Sequence, residues 1–307
     1  MSTFDKESYK SYVEMSNNSR LLVEGVSDKI ALTIAIRKNG INSSIEIDSA
    51  EHLIGFDEGI GNREKIETVC EELKTRALNS TFFGLVDREF REFDIGKTLS
   101  DNLNTHYNDT YLYWTFGHSI ENYLFNIDLI QEALIKSTKS PKSFDAINLL
   151  RESFDSVLEI AGAISLNLNE FDFSFSRVSS MIDFTYFDVV EENLTLDIDK
   201  YKNELIIRGI SEAESNLFIV KFLENLELCK RSDTNHVSLY IHGHIGLNIL
   251  RSSYAYFLDT ILDEKENIHN CFLTISTDYF FHICITEYLN IRIEDRLNFP
   301  ELILDRY

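Results

Sequence analysis

Positive charge is scarce in this chain. Its 307 residues carry 29 Lys and Arg against 51 Asp and Glu, a formal net charge of −22. Non-specific affinity for nucleic acid comes mainly from cations that displace phosphate counterions, and the field of a strongly acidic molecule repels a polyanion. A stand-alone, indiscriminate duplex nuclease is therefore disfavoured. A nucleic-acid enzyme of this composition needs a local basic patch, divalent cations that invert the local potential, or a partner that supplies positive surface. Long apolar runs are missing too. No stretch approaches the roughly 18 apolar residues of a spanning helix, which excludes an integral membrane protein built on helices. The start, Met1-Ser2-Thr3-Phe4-Asp5-Lys6-Glu7, lacks a basic region followed by an apolar run, so no secretory signal and a cytoplasmic location are expected. The four cysteines, Cys70, Cys229, Cys271 and Cys284, show no C-x-x-C spacing, and are expected as buried free thiols in a reducing compartment. No proline lies between Pro141 and Pro300, so nothing there forbids long helices. There is no internal repeat, no low-complexity segment and no G-x-x-x-x-G-K-[ST] phosphate loop.

What is present is a sizeable apolar fraction, 44%, enough for one large domain or two ordinary ones. Residues 20–23 read as a strand, with Ser27 as N-cap of a helix over 28–38 closed by Asn39-Gly40. A short strand at 45–47 and a polar stretch from Gly55 to Asn62 follow. Ile66, Val69, Cys70, Leu73 and Ala77 recur at helical spacing and predict a helix over 63–78. Residues 81–86 form a near-continuous apolar strand, as expected when both sheet faces are covered, and 111–114 a further one. The order implies an α/β fold, a mostly parallel sheet with helices on its faces. From Ile120 helical patterns dominate to about Leu228, although 171–176 is not clearly helical. Val237 to His242 alternates like a strand that rejoins the sheet, a helix starts near Ile245, and the aromatic tail 270–307 reads as helical. The expected division is a core over 1–125, a mainly helical insertion over 126–235, and a returning strand with C-terminal helices over 236–307.

Two apolar runs end abruptly in acids: Leu21-Leu22-Val23-Glu24-Gly25-Val26-Ser27-Asp28 and Phe83-Gly84-Leu85-Val86-Asp87-Arg88-Glu89. In a parallel sheet the carboxyl ends of neighbouring strands share one rim, where ligands bind. Mg²⁺ takes hard oxygen ligands and keeps several waters, so convergent carboxylates there suit phosphodiester chemistry. If strand direction persists past Val86, Asp87 and Glu89 face the same side. Gly25 lets the backbone turn and phosphate approach. Asp28, one helical turn beyond Glu24, either binds the metal or stabilises its helix. Arg88 points away from the two acids, toward a carboxylate or a phosphate.

Other residues carry weaker readings. Gly59-Ile60-Gly61 before a helix can present amides to an anion, with Arg63 and Lys65 adding charge; a plain loop is the alternative. Glu121 and Asn122 are placed to reach the rim as a second metal ligand and a polar substrate contact, or to support it from behind. His118 is a proton-transfer candidate or a structural histidine. His242-Gly243-His244 has the spacing of a zinc pair but no third ligand; His244 near phosphate, or a structural role, is the stronger reading.

At Leu22-Val23-Glu24-Gly25-Val26-Ser27-Asp28-Lys29, Gly84-Leu85-Val86-Asp87-Arg88-Glu89 and Ile120-Glu121-Asn122-Tyr123-Leu124, the sequence resembles the Toprim fold family. The likeness is to its OLD-type nucleases and the DUF4435 proteins, and in particular to the Toprim effectors of PARIS anti-phage systems. His242-Gly243-His244 looks like a short late motif, usually Gly-Lys, of such proteins. The resemblance covers about 18–125 well and 236–257 loosely. It implies a Rossmann-like Toprim sheet and a metal-dependent phosphodiesterase. Glu24 and Asp87 become primary Mg²⁺ ligands (Mn²⁺ substituting), and Glu89 stands where the family has a second Asp. It further implies an ABC-type ATPase partner that restrains the nuclease, host RNA, notably tRNA, as substrate, and abortive infection as outcome. A DNA nuclease or nickase, and a silent module that only regulates the ATPase, are the alternatives. A homodimer through the helical part is expected from the frequency of two-fold assembly.

Overall fold

A computed structural model describes residues 3–39, 45–75, 82–103, 111–171, 173, 178, 181–191, 193–263 and 265–291. The chain divides into two compact units, one of 1–88, 103–120 and 289–307, the other of 89–102 and 121–288.

The first unit is built on four parallel strands: β2 (Ser19–Val23), β3 (Ile45–Ser49), β5 (Phe82–Val86) and β8 (Leu112–Trp114), in the order β3-β2-β5-β8. Leu21 pairs with Ile47, Leu22 with Gly84, and Leu85 with Tyr113. β5 is buried at every residue and β2 at all but its first, whereas the edge strand β3 alternates. Helices α1 (Lys6–Met15), α2 (Val26–Asn39) and α3 (Asn62–Lys74) flank the sheet, and β1 (Phe4–Asp5) pairs in parallel with β4 (Leu53–Ile54). Tyr9, Val13, Leu22, Ile66, Val69, Cys70, Leu73 and Phe82 form one core. The chain runs from β2 out to β3, then crosses back to β5 on the other side of β2. That reversal makes the carboxyl ends of β2 and β5 a topological switch point, where open α/β sheets bind ligands.

α2 begins at Val26, so Ser27 sits within its first turn rather than capping it. The capping task falls to Asp28, whose Oδ2 accepts a hydrogen bond of 2.8 Å from the Gly25 N–H. The Gly40 closure and the expected helix residues 76–78 lie outside the described residues. Gly84 is required by packing: a Cβ there would stand 2.4 Å from Ile66 Cγ2 and 2.8 Å from Cys70 Sγ. Gly84→Ala is expected to cost about 2–3 kcal/mol by overpacking, read as a lower urea midpoint at unchanged slope. A loss below about 1 kcal/mol would mean that α3 shifts freely on the sheet.

The second unit is mainly helical, with α4 (Ile127–Ser137), α5 (Ser143–Glu152), α6 (Phe154–Glu170), α7 (Ile198–Ile207), α8 (Glu212–Arg231), α9 (Thr234–Tyr240), α10 (Gly243–Ile261) and α11 (Thr277–Tyr288). Two antiparallel hairpins, β6–β7 (Phe93–Ile95, Leu99–Asp101) and β9–β10 (Phe187–Val190, Asn193–Leu196), complete it. α6 is buried on almost every side. Its Asn167 donates to the Phe218 carbonyl (2.8 Å) and accepts from Asn225 (2.7 Å), so the buried amides are paired. The strand expected at 237–242 is instead helix α9. Asp233 caps it by accepting from the Asn235 N–H at 2.8 Å, and Val237 and Tyr240, three apart, are its buried face. Alternation of apolar residues over six positions fits either period, and the cap decides. No helix among the described residues is long and apolar enough to cross a membrane.

Candidate metal-binding rim

Glu24 is the first residue past β2, and Asp87 the first past β5. The two strands are direct neighbours. Their junction is bridged by one short contact: Glu24 Oε1 accepts the Asp87 N–H at 2.8 Å. This bond holds the Glu24 carboxylate across the mouth of β5 and beside the Asp87 backbone. Val23, Asp28, Asp87 and Thr115 line a small cleft at this point. On the other flank, Glu51 Oε1 accepts from the Val26 N–H at 3.3 Å. A Cβ on Gly25 would lie 3.3 Å from Glu51 Oε1 and 3.4 Å from Asp28 Oδ2. Gly25 therefore leaves room for two carboxylates to close around its backbone. The rim carries Glu24, Asp28, Glu51 and Asp87, all oxygen donors. Sequence reasoning missed Glu51. It is the second residue past β3, inside a short 3₁₀ turn (Ala50–His52), so it does not stand directly at a strand end as Glu24 does.

Several expected site residues do other work. Arg88 is fully buried. Its backbone N–H donates to Thr115 Oγ1 (2.9 Å), and its guanidinium to the Phe116 carbonyl (2.8 Å). It holds β5 to the segment after β8 and is closed to substrate. Gly61 caps α3 while the Glu64 carboxylate accepts the Gly61 N–H at 2.8 Å. The expected anion seat is thus filled by the helix's own side chain. Arg63 lies 3.6 Å from Glu67, and Lys65 donates to Asn62 Oδ1 at 3.2 Å and to the Ala50 carbonyl at 3.4 Å. His118 is buried.

The second unit holds the remaining candidates. The alternation expected past Val86 does not continue: the strand ends there, and Glu89 sits at φ 54°, in the left-handed region, on a turn leading to β6. That conformation is costly for a residue with a Cβ. The buried Asn122 amide donates to the carbonyls of Ser238 (2.7 Å) and Ile241 (2.8 Å), tying down the end of α9. Glu121 is buried, with Oε1 3.7 Å from Nδ1 of the exposed His244. His242 and His244 have ring centroids 5.9 Å apart. Among the described residues, no group of three or more His, Cys, Asp or Glu is arranged to hold a metal, and the zinc reading gains no third ligand. All four cysteines are buried and unbridged; burial pushes the Cys70 and Cys229 thiols up to about 12.

Burial, reinforced by His244, lowers His242 to about 4. The folded state therefore holds it neutral where the unfolded chain binds a proton. Stability is full above about pH 6.5 and falls as pH drops toward 4, by roughly 3 kcal/mol from this group. His242→Gln should flatten the stability–pH curve in that window, measured by urea titration from pH 7 to 4. An unchanged curve rules the histidine out as its cause.

No family model matches this chain, and no curated protein matches it.

Proposed function

We propose that the chain is an Mg²⁺-dependent endoribonuclease of Toprim type, with Glu24 and Asp87 as the metal-holding pair. The observation that carries this reading is the meeting of the two acids at the switch point, tied by the 2.8 Å bond from the Asp87 N–H to Glu24. The donor set fits the ion. Mg²⁺ is commonly bound through one or two carboxylates plus substrate phosphate oxygens, not by an all-protein cage, so a rim without a three-residue cluster is adequate. Bound there, the ion would neutralise phosphate oxygens and acidify a water. The chain's own task is to fix the Glu24 carboxylate beside Asp87, while Gly25 lets the Asp28 and Glu51 carboxylates close on the same rim. RNA, notably tRNA, as substrate rests on the likeness of the Glu24-Gly25 and Asp87-x-Glu89 motifs, and so does restraint by an ATPase partner. A net charge of −22 agrees with an enzyme that needs cations or a partner to approach a polyanion. The test is purified protein with Mg²⁺ or Mn²⁺ against total tRNA, single-stranded DNA and plasmid. Cleavage of tRNA alone is expected. Cleavage of DNA alone makes it a DNA nuclease, and no cleavage together with tight ATPase binding makes it a regulatory module.

A further inference from the structure

Beside the acidic rim, on the β3 side, lies a second cavity of about 240 Å³. Lys29, Ser49, His52, Phe4 and Leu53 line it, with Tyr9 and Asp48. Its charge balance is unlike that of the chain as a whole. The Asp48 carboxylate is already engaged: Arg20 donates to it at 2.8 Å and the Tyr9 hydroxyl at 3.0 Å. Lys29, in the first turn of α2, is half-buried and has no carboxylate partner among the described residues. Other lysines of this unit are committed, Lys6 to Glu72 and Lys74 to Glu71. A half-buried ammonium with no carboxylate partner among the described residues, in a cavity whose one acid is hydrogen-bonded by Arg20 and Tyr9, is a seat for an anion. The cavity also has an apolar wall, Phe4 and Leu53, and a hydroxyl, Ser49 Oγ. Its size is below the roughly 300–1,000 Å³ of sites for drug-sized ligands, which suits one nucleotide rather than a helical duplex.

We propose that this cavity is a mononucleotide subsite, in which Lys29 takes a phosphate ester and Phe4 and Leu53 take the base, so that the substrate strand enters single-stranded. The inference deepens the nuclease reading and rests on it for the identity of the ligand. The position of Lys29, one residue past Asp28 and four past Gly25, places its backbone beside the rim that would hold the metal. A phosphate there would neighbour the phosphate at the rim along one strand.

The test uses the full chain carrying Glu24→Gln, without divalent metal and with EDTA, so that neither cleavage nor metal bridging contributes. AMP and inorganic phosphate are titrated separately by calorimetry. Saturable AMP binding is expected, with phosphate alone at least tenfold weaker. Lys29→Gln should weaken AMP at least tenfold, the scale of one charge-assisted hydrogen bond, and Lys29→Arg should restore it to within about threefold. Lys97→Gln, at an exposed site in the other unit, should change it less than twofold, and thermal melts should show every variant folded. AMP affinity unchanged by a folded Lys29→Gln variant overturns the subsite, as does phosphate binding as tightly as AMP. If Lys29-dependent AMP binding holds but wild type cuts no nucleic acid, the nuclease reading falls and the subsite stands. If wild type cuts RNA but AMP binding ignores Lys29, the reverse is true.

Discussion

Glu24→Gln is expected to lower RNA cleavage by at least about 10³-fold, equivalent to about 4 kcal/mol of transition-state stabilisation, while leaving the fold intact. The reason is specific to this carboxylate. One of its oxygens accepts the Asp87 N–H at 2.8 Å, and a glutamine amide oxygen can accept the same bond. What the substitution removes is the negative charge and one donor oxygen, replaced by an NH₂ that repels a cation. Glu24→Ala removes the acceptor as well, so it should lose activity equally and also about 1 kcal/mol of stability. Asp87→Asn should track Glu24→Gln in activity. The measurement is single-turnover cleavage of tRNA at saturating Mg²⁺, with urea unfolding of the same preparations. A folded Glu24→Gln protein that cleaves within tenfold of wild type removes the rim from the chemistry.

The second large effect lies at the start of the same strand. Arg20 is 2% exposed. It donates to Asp48 at 2.8 Å, also pairs with Glu46, and stacks over the Tyr12 ring at 3.9 Å from the guanidinium carbon. Tyr9 donates to the same Asp48 oxygen at 3.0 Å. One guanidinium thus links β2 to β3 and to α1. Arg20 is buried, but Glu46 and Asp48 keep 42% and 22% of their side-chain exposure, so water solvates part of the charge left behind and the loss is about 2 kcal/mol, short of the cost of a fully buried pair. Arg20→Met is expected to lose that much in urea unfolding. Arg20→Lys should lose an intermediate amount, since an ammonium lacks the planar fork that serves two carboxylates and an aromatic face. High salt should reduce the loss only in part, because the partly exposed carboxylates are screened while the buried guanidinium is screened less. A loss below about 1 kcal/mol for Arg20→Met would show that α1 is held by apolar packing alone.

Both effects depend on neighbours that sequence order does not reveal. Arg20 and Asp48 are 28 residues apart, and Glu24 and Asp87 are 63 apart. The individual strands were legible, because a strand covered on both faces reads as an apolar run, as 20–23 and 82–86 do. So were helix α3, from the spacing of Ile66, Val69, Cys70 and Leu73, and the mainly helical character of the stretch after Ile120. Local patterns with two physical solutions were not legible. Val237 to His242 alternates, yet Asp233 and the clamp from Asn122 make it helical. Glu89 lies two residues from Asp87, yet a left-handed turn breaks the alternation.

Taken by itself, the amino-acid order determined the α/β class, the acids at two strand ends and the scarcity of positive charge, because each depends on residues close in sequence or on composition alone. Tertiary structure decided which strand lies beside which, that Arg88 is buried while Lys29 has no carboxylate partner among the described residues, and that Glu51 joins the rim. Those outcomes depend on contacts between distant segments and on desolvation, and neither has a local signature in the chain.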